Sequence, residues 1–207
     1  LEADCPLQAP CRILHHSLVP LKKTVLKSPD TGADIVLRTD SYGLRGPEVA
    51  VPKPTGVFRI LCLGDERTLA PGVEEEAAFC SRLEELLQSR SRLTIEVLNA
   101  GLPDNCPLLA YLQLRHSLLG LQPDLVIYNF DMTDVSDDHR YRRMTRMSSE
   151  GIPLACADPT LDASRRSTGQ QLEDRFLLIQ WGRRQLGRIP VEEGAPTAHD
   201  EIDTPHG

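Results

Sequence analysis

Three apolar runs, each closed by a polar loop and separated from the next by an amphipathic stretch, limit what this chain can become more than any other feature. Phe58–Leu63 reads FRILCL and stops at Gly64-Asp65. Leu93–Leu98 alternates and stops at Asn99-Ala100-Gly101. Asp124–Phe130 reads DLVIYNF and runs into an acidic loop, Asp131–Asp138. A short apolar run ending at turn residues is the pattern of a strand buried on both faces. Between the runs, Glu74–Ser89 places Phe79, Cys80, Leu83, Leu86 and Leu87 on one helical face, with glutamates in the first turn, where the helix dipole favours acid. Leu108–Leu121 is a second apolar-faced helix. The order β-α-β-α-β predicts parallel strands joined by right-handed crossovers, in an α/β sheet covered on both faces. Ligands in such sheets bind beyond the carboxyl ends of the strands. A site is therefore expected among loops 64–68, 99–106 and 131–138.

Around this unit the signal is weaker. Residues 1–56 read as an irregular lead-in with seven prolines, Pro6 to Pro54, and one short strand at Ile35–Thr39. Val51-Pro52-Lys53-Pro54 reads as a stiff extended linker. The lead-in is expected to drape over a domain spanning residues 57–207. Beyond residue 140, a strand is expected at Ile152–Cys156, a helix at Gln170–Gly187 with Trp181 packed near its end, and a loop over 190–207.

The chain has 207 residues, and its 40% hydrophobic content supports a real core, which must be aliphatic because aromatics make up 4%. A formal net charge of −7 argues against nucleic acid as a partner. No run approaches the ~20 apolar residues that span a bilayer, so no membrane span is expected in this fragment. The start, Leu1-Glu2-Ala3-Asp4-Cys5, lacks the pattern of a signal peptide and reads as an internal beginning. The six cysteines form no CxxC pair and have no histidine at zinc-ligand spacing, so no metal or cofactor is expected from them. Cys62 and Cys80 read as buried free thiols, whereas Cys5 and Cys11 stay open between free and bridged.

Gly43-Leu44-Arg45-Gly46-Pro47-Glu48, followed by Phe58-Arg59-Ile60-Leu61-Cys62-Leu63-Gly64-Asp65, resembles the entry to a bacterial group of SGNH (GDSL-type) hydrolases, lipase- and acylhydrolase-like enzymes. The likeness continues through Ile95–Gly101, Gln122–Ile127 and Thr133-Asp134-Val135, covering about residues 40–142. It implies a three-layer α/β/α sandwich with a parallel, flavodoxin-like sheet, incomplete at its C-terminus, and four catalytic blocks. In the first block a nucleophilic serine follows Gly-Asp, and here Glu66 follows Gly64-Asp65. In the second block a glycine N–H holds the oxyanion. That position holds Asp104, with Gly101 the alternative match if the loop is shifted. In the third block an asparagine amide is the second oxyanion donor, and here it is Thr133. The fourth block, Asp-x-x-His, has a match of letters at Asp203-Thr204-Pro205-His206, in the acidic tail.

Two readings follow. In the first, the domain has lost hydrolysis and serves as a binding or structural module, a pseudoenzyme within a cell-envelope or secreted protein. Its ligand would be a small ester, a glycan or a cation in the strand-end cleft. In the second, it is an esterase with Glu66 as base and His206 as acid–base partner. A flavodoxin-like binding domain of another family is disfavoured, since no phosphate-binding loop follows the first strand. If the loops converge, Asp65, Glu66, Asp104, Asp131 and Asp134 gather in one cleft, and oxygen-only ligands of this kind suit Ca²⁺ or Mg²⁺. His15-His16 reads as a pair of surface histidines. Ser41 and Ser81 have no histidine nearby in sequence. Arg140, Arg142, Arg143 and Arg146 read as solvated surface.

Overall fold

The computed structural model describes residues 7–163. The expected helix Gln170–Gly187, Trp181, the loop 190–207 and Cys5 lie outside the described residues.

The protein opens with two antiparallel hairpins. β1 (Gln8–Cys11) pairs with β2 (His15–Leu18), and β3 (Lys23–Lys27) pairs with β4 (Asp34–Arg38). The lead-in is thus not irregular, and it carries four strands where one was expected. β4 alternates, burying Ile35 and Leu37 and exposing its neighbours, the signature of a strand with one covered face.

Next come β5 (Val57–Gly64), the short helix α1 (Glu66–Leu69), α2 (Phe79–Gln88), β6 (Thr94–Gly101), α3 (Pro107–Gln113), β7 (Leu125–Tyr128) and α4 (Thr133–Arg142). β8 (Thr145–Met147) and β9 (Pro153–Cys156) form a last hairpin before α5 (Thr160–Ala163). One turn of 3₁₀ helix at Glu75–Ala77 precedes α2, and α3 runs on through a π segment, Leu114–Leu118, and a 3₁₀ turn, Leu119–Leu121. The predicted helices Glu74–Ser89 and Leu108–Leu121 were therefore right in place, with irregular ends. The predicted loop Asp131–Asp138 is wrong: from Thr133 it is α4.

β5, β6 and β7 form a parallel sheet in the order β6-β5-β7. The protein is mixed α/β, with this sheet flanked by helices. Successive β5 side chains serve opposite faces. Leu61 and Leu63 join Leu98, Ala100, Ala110, Leu118 and Leu121 in one cluster, with the α3 stretch as cover. Ile60 and Cys62 join Val97 and Cys80, with α2 residues Leu83 and Leu87 packed against them. Each fully buried leucine contributes about 1.5–3 kcal/mol over leaving it exposed. Cys62 and Cys80 are buried free thiols, as expected.

Two arginines tie the lead-in to this sheet. Arg45 is buried, and its guanidinium donates to the carbonyls of Leu69 and Val73 at 2.7 Å each and to that of Ala70, closing the C-terminal end of α1. Arg59 lies inside β5 with 0% exposure. Its Nε donates to Glu96 Oε2 at 2.5 Å, and its other nitrogens donate to the carbonyls of Leu121 and Ala50. Among the described residues, no helix is long and apolar enough to cross a membrane.

Candidate functional site

β5 lies centrally, with β6 on one side and β7 on the other, so the crossover from β5 to β6 and the next, from β6 to β7, run in opposite directions. A crevice opens at such a switch point. The segments that follow β5 and β7 line it.

Asp65 follows β5 and caps α1, its Oδ1 accepting the Arg67 N–H at 2.9 Å. Capping turns the Asp65 carboxylate back toward the helix start, where it is 5% exposed. α1 packs tightly on β6: a Cβ added at Gly101 would lie 2.1 Å from the Leu69 nitrogen, so only glycine admits the helix there. Asn99 supports the same seat, donating its amide to the Thr68 carbonyl at 2.8 Å and accepting the Gly101 N–H at 3.0 Å.

Past β7, Asp131 accepts both the N–H and the hydroxyl of Thr133 at 2.6 Å and pairs with Arg67 Nη1 at 2.8 Å. The Thr133 hydroxyl and amide, with Arg67 adding to them, hold the Asp131 carboxyl below its usual range. Asp134, in the first turn of α4, accepts the Tyr128 hydroxyl at 2.8 Å and the Asp131 N–H at 3.2 Å on Oδ2. Burial, and then Asp134, push the Tyr128 phenol pKa up, so Tyr128 remains a donor.

Of the five acids expected in one cleft, three come together. Asp65, Asp131 and Asp134 each place a carboxylate oxygen within 4.8 Å of the others. Glu66 and Asp104 are exposed and lie outside that group. They face each other instead: the Asp104 N–H is directed at Glu66 Oε2 across 3.4 Å, a long contact. Asp104 has φ of +54°, the left-handed region that glycine favours. Among the described residues no histidine bonds Glu66. Asp203 and His206 lie outside the described residues.

Several neighbours were missed by sequence reasoning. Asp137 in α4 has its carboxyl pKa raised by partial burial and then by Asp104, with Arg140 opposing. Asn105 is buried and donates to the Gly64 carbonyl at 3.1 Å. The histidine pair is a correction, since His16 is only 6% exposed. Its Nε2 lies 2.7 Å from the Pro103 carbonyl, and its Nδ1 lies 3.0 Å from Nδ1 of His15. A carbonyl only accepts, so a neutral His16 carries its proton on Nε2 and accepts from His15. The His15 ring packs edge-on against Tyr141, with centroids 4.9 Å apart. The β1–β2 hairpin, absent from the sequence reading, is what presses the pair inward. Arg140, Arg142, Arg143 and Arg146 are exposed, and Arg140 lies over the Tyr141 ring at 5.1 Å.

A cavity of about 280 Å³ opens elsewhere, beside β6, and Arg45, Glu48, Glu75, Glu84 and Glu96 are among its lining residues. Its acids are occupied: Glu48 with the Ser41 N–H, Glu75 with Arg38, Glu84 with the Val97 N–H and Glu96 with Arg59. These bonds hold the sheet edge together and argue for a structural role.

In comparisons with known proteins, no family model matches this sequence, and no curated protein matches it.

Proposed function

We propose that this chain is a degenerate SGNH (GDSL-type) hydrolase-like domain, a three-layer α/β/α sandwich whose strand-end cleft binds a ligand and does not hydrolyse it. One observation carries the reading: the donors at the family's oxyanion positions are directed at carboxylates of the protein itself. The Asp104 N–H, at the oxyanion-donor position, is directed at the carboxylate of Glu66, which stands where the serine would be. The Thr133 hydroxyl, at the second donor position, is spent on Asp131. An oxyanion hole works through donors preorganised toward developing negative charge, and losing one donor costs about 10²–10³ in turnover. Here each donor already faces a resident carboxylate, Glu66 and Asp131 respectively. The left-handed backbone at Asp104 supports matching it, rather than Gly101, to the family's glycine. The sheet order β6-β5-β7 agrees with a flavodoxin-like sheet. The ligand class proposed is a small ester, a glycan or a cation.

The test is hydrolysis of a short p-nitrophenyl ester by the full chain beside Glu66→Ser and Glu66→Ala. Background rates for the wild type, unchanged by Glu66→Ala, are expected. Turnover that Glu66→Ala abolishes would instead make Glu66 catalytic and overturn the reading.

A further inference from the structure

We propose that Asp65, Asp131 and Asp134 hold a calcium ion at the strand ends. This rests on the reading of that cleft as a binding site and names its ligand.

The three carboxylates come from three segments: the end of β5, the residues after β7 and the first turn of α4. One oxygen from each lies within 4.8 Å of the others. Oxygens on opposite sides of an ion are separated by at most twice the metal–oxygen distance. That limit is about 4.0–4.2 Å for Mg²⁺ and about 4.6–5.2 Å for Ca²⁺. At its longer metal–oxygen distances calcium spans any spacing up to that 4.8 Å bound, whereas magnesium fits only oxygens within about 4.2 Å of one another.

A second observation concerns Asp134 itself. It is 1% exposed, and while Oδ2 has two donors, Oδ1 is buried with no partner among the described residues. A carboxylate oxygen withdrawn from water and left without a donor is unfavourable, and native structures rarely keep one without an ion or ordered water beside it. The Tyr128 hydroxyl fixes this carboxylate from the other oxygen, so it cannot swing out to solvent without breaking that bond.

Charge points the same way. Against three carboxylates, the one cation paired within the group among the described residues is Arg67, on Asp131, and the Arg67 side chain is 69% exposed. The excess of negative charge suits a divalent ion. Asp131 is partly buried beside the exposed Arg67, and a six- to eight-oxygen shell would be completed by water or further protein oxygens.

The test is calorimetric and thermal titration of the chelator-stripped full chain with CaCl₂, beside MgCl₂ and NaCl of matched ionic strength. A saturable single-site calcium isotherm and a calcium-dependent rise in melting temperature are expected, with weaker binding of magnesium. Asp65→Asn keeps the cap of α1, because asparagine caps as well as aspartate, and is expected to lose about tenfold or more in calcium affinity as one anionic ligand goes. Arg67→Ala, which removes the competing internal cation, is expected to bind calcium more tightly. No saturable binding to the wild type, or unchanged binding by a folded Asp65→Asn, overturns the proposal. Absence of calcium binding in a chain inert to esters removes calcium alone and leaves the binding reading in place. Turnover dependent on Glu66 removes the binding reading whatever calcium does.

Discussion

The backbone N–H of Asp104 faces Oε2 of Glu66 across 3.4 Å, from a residue held at φ +54°. That conformation costs a side chain what it does not cost glycine, and aspartate tolerates it better than a branched residue. Asp104→Gly is expected to stabilise the protein by up to about 1 kcal/mol, and Asp104→Val to destabilise it by about 1–2 kcal/mol. Urea unfolding of the two variants beside the wild type measures both, and a stabilising Asp104→Val would contradict the assigned backbone.

Arg59 is a cation inside the sheet, with Glu96 as its counterion and two carbonyls completing its bonds. Removing one partner of a buried ion pair costs about 3–5 kcal/mol. Arg59→Ala is expected to lose that much, because Glu96 and the carbonyls of Leu121 and Ala50 all lose a donor. Glu96→Gln keeps an acceptor and is expected to lose less. Equal losses in chemical denaturation would show that the charge, and not the hydrogen bond, carries the interaction.

Burial lowers the pKa of His15 below 6.5, with His16 and Arg140 adding to the shift and Asp158 and Asp104 opposing it. A depressed histidine pKa means the unfolded chain binds the proton more readily, so stability rises with pH across that window. The contribution of His15 is in place above about pH 6.5 and is lost as pH falls through the lowered value. Melting temperature is expected to fall between pH 7 and pH 5.5, and to fall less in His15→Asn. An identical slope in the variant would assign the pH dependence to other groups.

The sheet and its helices were legible because a strand buried on both faces must be apolar at nearly every position, and Phe58–Leu63 is. Even the exception follows a rule that sequence cannot display: Arg59 is tolerated because Glu96, Leu121 and Ala50 meet it in space. α4 was missed because, of its residues, only Asp134 and Tyr141 are buried, so it carries no apolar stripe to read. Of the lead-in strands β4 was expected, and the other three were missed because prolines punctuate that stretch and because β3 exposes Lys23, Val25 and Lys27. Their pairing comes from a partner strand and not from local pattern.

The sequence by itself determined which groups stand at the strand ends and in what order: Asp65-Glu66, then Asn99 to Asp104, then Asp131 to Asp134. Tertiary structure alone decided which of them meet. Adjacent residues part company at a helix start, where Asp65 folds back as the cap while Glu66, the first residue of the helix, turns outward. Asp134 is buried because α4 carries it against Tyr128. Five acids of similar chemistry were therefore sorted into a group of three and a facing pair by backbone direction, which residue type does not encode.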